Sequence, residues 1–158
     1  MDQLDKQILD VLQMDFPLAP RPYAVIAERL NLTEEAVWQR VQDLMSQGII
    51  RRLGASLDSR KLGYQSTLVG IRVPAPVFEQ AVQMLDAYPE VTHCYQRQNE
   101  YNIWFTLIAP SQERIAEILA EIQQALALTE QDILNAPVER LFKLDARFRA
   151  SRPEDTSI

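Results

Sequence analysis

Residues 91–109 read VTHCYQRQNEYNIWFTLIA, and this stretch predicts a β-hairpin. Residues 91–97 and 101–109 both suit the two-residue side-chain period of a β-strand, in which neighbouring side chains point to opposite faces. Between them, the polar residues 98–100 are typical of a turn. The segments on either side of this hairpin then decide the fold class.

The chain alternates between strand and helix around the hairpin. A strand near residues 69–73 and a helix over 77–85 precede it, a helix that Ser111 can cap follows it, and a final strand is predicted over 140–148. The order β-α-β-β-α-β is typical of a ferredoxin-like domain, a four-stranded antiparallel sheet with two helices on one face. We assign this domain to residues 62–149.

The two helices cover only one face of such a sheet. The other face must also be covered, most simply by a second copy of the sheet, so we expect an oligomer. Residues 150–158 are polar and are predicted to form a C-terminal tail.

The N-terminal third of the chain has the apolar periodicity of three helices. They are predicted over residues 4–12, 23–30 and 33–47, with a short turn between the second and the third, which is a helix-turn-helix pattern. Residues 49–54 are β-prone and are predicted to form a wing. The predicted fold class is therefore α+β, with a winged helix-turn-helix domain over residues 1–61 in front of the ferredoxin-like domain.

Composition excludes several classes of protein. The 158 residues include one Cys and one His, which excludes an internal disulfide and a zinc site of Cys and His ligands. No apolar run approaches the ~18–20 residues of a membrane span. The chain begins with an acidic stretch that is unlike a signal peptide. We therefore expect a cytoplasmic protein without a membrane anchor.

Charge argues against DNA binding by the predicted helix-turn-helix. The net charge of the chain is −6. The third helix, which would enter the major groove, carries Glu34, Glu35 and Asp43 against Arg40 alone. Two carboxylates at its leading end would repel phosphates. We expect this domain to serve as a structural or ligand-covering module.

His93, Tyr95 and Arg97 are predicted to share one face of their strand. An imidazole, a phenol and a guanidinium together suit a large, planar, acidic ligand, because they can ligate iron or deliver a proton and clamp a carboxylate. Tyr101 and Trp104 in the second strand add aromatic area for stacking. The pattern alone leaves open a purely structural role for His93 and a core or interface role for both aromatic residues.

Four blocks of sequence carry a resemblance to a known family. They are residues 12–18 with 21–23 (LQMDFPL and RPY), 48–55 with 62–64 (GIIRRLGA and LGY), 91–95 (VTHCY) and 101–106 (YNIWFT). Together they make the chain resemble the siroheme decarboxylase branch of the Lrp/AsnC-like family, whose members join a helix-turn-helix to a ferredoxin-like ligand-binding domain. Lrp-type regulators usually carry Gly-x-Tyr-Asp near the second hairpin, where this chain has Asn99-Glu100-Tyr101-Asn102.

The resemblance implies a carboxy-lyase. Siroheme decarboxylase removes two acetate carboxyl groups of siroheme as carbon dioxide and forms 12,18-didecarboxysiroheme, on a route to haem or to a haem of the d type. No separate organic cofactor is expected, because siroheme, an iron-tetrapyrrole, is bound as the substrate.

The resemblance also implies roles for individual residues. His93 would be catalytic, either as proton donor or as an axial ligand of the substrate iron, and Tyr95 and Arg97 would orient a carboxylate. The expected substrate-binding residues are Arg51, Arg52, Trp104 and Tyr101.

Two departures from the branch concern the partner. Cys94 stands where Asn is usual, and Asn99 or Glu100 stands where a second histidine often precedes the Tyr-Asn-x-Trp block. Enzymes of this branch are commonly pairs of related subunits, so a homologous subunit is expected to complete the site in a heterodimer, with a homo-oligomer as the other arrangement. The competing hypotheses are a DNA-binding Lrp/AsnC-type regulator that responds to haem and a non-catalytic partner subunit.

Overall fold

The computed structural model describes residues 1–151, which form two compact units. One unit contains residues 1–55 and 143–151, and the other contains residues 56–142. No helix in the described part of the chain is long and apolar enough to cross a membrane.

The first unit is built on three helices. They are α1 (Gln3–Met14), α2 (Pro22–Leu30) and α3 (Glu34–Ser46). The hydroxyl of Thr33 accepts a hydrogen bond from the Ala36 backbone N–H at 3.2 Å, which confirms the predicted N-cap of α3. Gly48 follows the helix with φ +71°, a conformation that glycine adopts without strain, and confirms the predicted stop. The helices share a core of Ile8, Ile26, Val37, Val41 and Leu44.

The prediction of a β-strand wing over residues 49–54 is wrong. Residues 51–58 have no regular secondary structure, and residues 49 and 50 form a bend. A short strand is stable only when a neighbouring strand takes up its backbone hydrogen bonds. In the described part of the chain no strand pairs with this segment, so its β-prone composition is not sufficient.

The second unit has the predicted β-α-β-β-α-β order. Its elements are β1 (Gln65–Ile71), α4 (Phe78–Asp86), β2 (Val91–Gln96), β3 (Ile103–Ala109), α5 (Gln112–Ala125) and β4 (Ile133–Pro137). The strands lie in the order β2-β3-β1-β4, and every pair is antiparallel. This arrangement confirms the ferredoxin-like sheet, and the hydroxyl of Ser111 caps α5 as predicted.

Only the helix-facing side of the sheet carries a closed core. Val69 and Ile71 of β1 and Phe105 and Leu107 of β3 are buried there, together with apolar residues of α4 and α5 such as Leu85, Ile118 and Ile122. Each such side chain stabilises the fold by about 1.5–3 kcal/mol. The opposite face of the sheet has no covering layer within this unit.

The predicted last strand over residues 140–148 is wrong. The fourth strand is Ile133–Pro137, and residues 138–151 contain neither helix nor strand. The free edge of β1 is reached first by the residues that follow α5 directly, because short connections are favoured. Pro137 then ends the strand, since proline cannot donate to the ladder. The apolar alternation at Phe142 and beyond therefore finds no partner strand in the described residues.

Asp132 fastens the start of β4 to the rest of the sheet. Its carboxylate accepts hydrogen bonds from the Thr129 hydroxyl at 2.6 Å, the Thr129 N–H at 2.8 Å and Arg72 Nε at 2.7 Å. These donors lower the pKa of Asp132 to about 2 from its usual 3.8.

Asp132→Asn is expected to lower the urea midpoint of unfolding near neutral pH. A depressed pKa contributes stability above the unfolded value and loses it as pH falls through the folded one. The difference between the variant and the original chain should therefore shrink as pH falls from about 4 towards about 2. Glu130→Gln, in the same short helical turn, is the control. An equal midpoint for the Asp132 variant and the original chain at neutral pH would contradict the assignment.

Candidate functional site

Two rows of side chains cross the uncovered face of the sheet. Directly paired residues of antiparallel strands point to the same face, so the strand register defines the rows. The first row is His93, Thr106, Leu68 and Ala136, and the second is Tyr95, Trp104, Gly70 and Leu134. The predicted common face of His93 and Tyr95 is confirmed, and Trp104 joins them on it.

His93 and Tyr95 lie on the edge strand β2 with their rings exposed. The ring centroids are 6.3 Å apart with an interplanar angle of 27°, so the imidazole stacks on the phenol. Nδ1 of His93 lies 3.1 Å from the Thr92 hydroxyl, which leaves Nε2 without a hydrogen-bond partner among residues 1–151. This nitrogen is accessible for proton transfer or for axial ligation of an iron atom.

A cleft of about 310 Å³ opens beside the Tyr95 ring, and His93 is not one of its lining residues. It is lined by Leu68, Tyr95, Arg97, Asn99, Trp104 and Thr106, together with Phe105. Its volume is at the lower end of the range for small-molecule sites, and it combines aromatic walls with a few polar groups as such sites do. The structure therefore brings three of the residues singled out from the sequence, Tyr95, Arg97 and Trp104, into one cleft.

Arg97 stands just beyond the end of β2, at the turn of the hairpin. Its backbone N–H donates to the Asn102 carbonyl at 2.9 Å, which anchors the residue while the side chain stays exposed. No carboxylate of the described residues lies within ion-pair distance of its guanidinium. The group is therefore available to a carboxylate of a ligand.

Tyr101 supports Trp104 and does not line the cleft. Its ring meets the indole edge to face at 6.3 Å, and its backbone carbonyl accepts a hydrogen bond from Trp104 Nε1 at 2.9 Å. The phenol hydroxyl donates to the Gln131 carbonyl at 3.3 Å. Through these contacts Tyr101 holds the Trp104 indole in place. Direct contact of Tyr101 with the substrate stays a prediction.

Asn99 and Asn102 were not singled out as site residues. Asn99 lines the cleft from the turn of the hairpin. The side-chain amide of Asn102 makes the two hydrogen bonds that a paired residue in a neighbouring strand would make. It accepts from the Val73 N–H at 2.9 Å and donates to the Val73 carbonyl at 2.8 Å. The signal for Asn102 was its position just before an apolar strand, where a side-chain amide can extend the ladder.

The arginines among residues 1–151 fall into two groups. Seven of them pair with carboxylates, namely Arg21, Arg29, Arg40, Arg60, Arg72, Arg114 and Arg147. Arg51, Arg52 and Arg97, the three nominated from the sequence, have no such partner in the part of the chain that the structure describes. Two further arginines also lack one: Arg140, which lies over the Phe142 ring, and Arg149. Arg51 and Arg52 lie exposed in the first unit, in its irregular segment.

A metal held only by protein side chains is not indicated. Among residues 1–151 no group of three or more His, Cys, Asp or Glu residues is placed to hold one. An iron atom already held by a macrocycle needs only an axial ligand from the protein, and His93 can supply that nitrogen.

Comparison with known proteins matches both parts of the chain. A family described as the AsnC-like ligand binding domain matches residues 61–143, and one described as the siroheme decarboxylase NirDL-like HTH domain matches residues 5–51. The siroheme decarboxylase alpha subunit of Desulfovibrio desulfuricans is 49% identical over 149 residues, which are 94% of this chain and 84% of that protein.

Solved structures show the same fold. Escherichia coli AsnC is 22% identical with a TM-score of 0.73, covering 93% of this chain and 97% of that one, and this likeness concerns the fold alone. The siroheme decarboxylase NirDL in complex with an iron-uroporphyrin III analogue is 28% identical with a TM-score of 0.67. The match covers 85% of this chain and 44% of that chain.

Proposed function

The chain belongs to the siroheme decarboxylase family, and we propose that it is the subunit of a carboxy-lyase that removes two acetate carboxyl groups of siroheme as carbon dioxide. The observation that carries this proposal has two parts: Tyr95, Arg97 and Trp104 line one cleft, and His93 shares the open sheet face with Tyr95 and Trp104. The product is 12,18-didecarboxysiroheme, a precursor for haem or a haem of the d type.

The reaction makes three demands on the protein. In each step the bond between an acetate methylene and its carboxylate carbon breaks, and the electron pair stays on the methylene carbon. The conjugated macrocycle delocalises this pair, so no separate organic cofactor is needed. A proton then converts the carbon to a methyl group. The protein must therefore bind a polyanion, exclude water from the reacting carboxylate and deliver a proton.

His93 acts through Nε2. As an imidazolium it donates the proton from Nε2, while the Thr92 hydroxyl accepts from Nδ1. As a neutral ring with its proton on Nδ1, it offers the Nε2 lone pair to the substrate iron. The two roles differ in their spectroscopic consequence, because only ligation changes the spectrum of the bound tetrapyrrole.

Capture of the substrate depends on local arginines. The net charge of −6 repels a polyanion at long range, and most arginines are already neutralised by carboxylates. Arg97 is free to hold a substrate carboxylate in the cleft with Tyr95, and Trp104 packs on the ring. Arg51 and Arg52 are proposed to contact further carboxylates of the substrate.

A homologous subunit is proposed to cover the part of the open sheet face that β4 forms, outside the cleft. Leu134 is 38% exposed there, beside the exposed Ala136. The curated relatives are named as subunits, which supports an assembly of more than one chain. The partner is proposed to contribute the histidine that the branch often has near Asn99.

Anaerobic incubation with siroheme tests the proposal. We expect a product that has lost two carbon dioxide units by mass spectrometry, either with the chain alone or after addition of the homologous subunit. Activity of the chain alone would contradict the need for a heterologous partner. Unchanged siroheme in both incubations would contradict the enzyme assignment.

DNA binding is not expected of the helix-turn-helix. Three of its arginines are already paired, Arg21 with Glu34, Arg29 with Asp15, and Arg40 with Asp2 and Asp5. Few cations remain to neutralise phosphates and release counterions. Tight, salt-sensitive binding to DNA upstream of its own gene, together with unchanged siroheme, would favour the regulator instead.

A further inference from the structure

Gly70 lies directly opposite Trp104 on the open face of the sheet, in the middle of β1. A Cβ added at Gly70 would meet three neighbouring indole carbons, Cζ2 at 3.1 Å and Cε2 and Cη2 at 3.2 Å. An edge-on ring would bring only one carbon this close and leave its neighbours much farther away. The near-equal distances therefore mean that the indole turns its face towards Gly70.

Two further contacts hold the ring in this position. Nε1 donates to the Tyr101 carbonyl at 2.9 Å, and the Tyr101 ring packs edge to face with the indole. With one face of the indole against Gly70, the partly exposed ring contributes its remaining surface to the lining of the cleft. The ring then lies over β1, so the space between it and Tyr95 stays open as part of the cleft.

Glycine in the interior of a strand needs a reason. It lacks a side chain to pack and loses more backbone entropy on folding than any other residue. The φ of Gly70 is not in the left-handed region, so a side chain at this position is opposed by the indole and not by the backbone.

We propose that Gly70 is a positioning residue that lets Trp104 lie flat on the sheet as the stacking platform for the substrate macrocycle. This inference rests on the proposed function. A side chain at position 70 lifts or tilts the ring, removes the flat surface and narrows the cleft. Planar aromatic surfaces bind by offset stacking, which such a tilt disrupts.

Gly70→Val tests the proposal, with iron-uroporphyrin III as the probe and its absorption spectrum as the readout. Valine favours the strand conformation, so the fold should be retained, which urea unfolding checks. We expect the dissociation constant to rise about tenfold. Gly70→Ala, which demands a movement of only a few tenths of an ångström, should give a smaller rise and serves if the valine variant does not fold.

Two comparisons separate positioning from a general structural effect. Gly54→Val is the matched control, because a Cβ at Gly54 meets nothing within 4 Å, and it should leave binding unchanged. In a Trp104→Ala background, Gly70→Val should have no further effect on binding.

Three results would overturn the inference. They are unchanged binding by both Gly70 variants, an undiminished effect of Gly70→Val in the Trp104→Ala background, and an equal loss of binding in the Gly54 control. Each leaves the proposed function standing if the original chain binds the probe. Absence of binding by the original chain, alone and with the homologous subunit, would overturn the inference and the proposed function together.

Discussion

Replacement of His93 by alanine is expected to slow siroheme decarboxylation by about 10²–10⁴-fold, the range for loss of a general acid. His93 is the only histidine of the chain, and its exposed ring stacks on Tyr95 at the edge of the cleft. No other imidazole of this chain can replace it. The measurement is the rate of product formation in a single anaerobic turnover, with the homologous subunit present.

The controls for this variant also separate the two roles of the ring. Gln96→Ala changes an exposed residue of the same strand that pairs with Ile103 on the helix-facing side, so its rate should be unchanged. If His93 ligates the iron, the spectrum of bound iron-uroporphyrin changes in His93→Ala. If His93 only donates the proton, the spectrum stays the same while the rate falls. An unchanged rate and an unchanged spectrum would show that His93 is neither the proton donor nor the iron ligand.

The fold was predictable wherever side-chain periodicity and end signals agreed. Thr33, Gly48 and Ser111 end or begin helices through local hydrogen bonds and backbone geometry, which neighbouring residues determine. The last strand was misplaced because the alternation over 140–148 is stronger than that over 133–137. Which segment pairs with β1 depends on the length of the connection from α5, a property of the tertiary fold.

The site was predictable only in part, for a related reason. A period of two places His93 and Tyr95 on one face, but which residues of β3 and β1 lie opposite them depends on the register. A bulge between Val91 and His93 shifts that register, and no residue in the sequence indicates where this bulge lies. The contact between Gly70 and Trp104 follows from the same register, so it appears only in the three-dimensional structure.

Replacement of Arg97 by alanine is expected to raise KM for siroheme by about 10- to 100-fold, because a hydrogen bond to a charged group contributes about 1.5–3 kcal/mol. Arg97 lines the cleft, and its guanidinium has no carboxylate partner among the described residues. Arg97→Lys should recover only part of the loss, since an ammonium group cannot grip a carboxylate with two parallel hydrogen bonds. Steady-state kinetics with the assembled enzyme provide the measurement.

Removal of any arginine also makes an acidic protein more repulsive to a polyanion, so the control must match the charge. Arg60→Ala removes one positive charge from the same unit, but Arg60 already pairs with Asp58 at 3.1 Å and lies outside the cleft. Its effect on KM should be small and should vanish at high salt, because exposed charges are screened within about 10 Å at 0.1 M. The effect of Arg97→Ala should persist at high salt, since a direct contact in a cleft is screened much less. Equal effects of the two variants at all salt concentrations would mean that Arg97 contributes only to the general field.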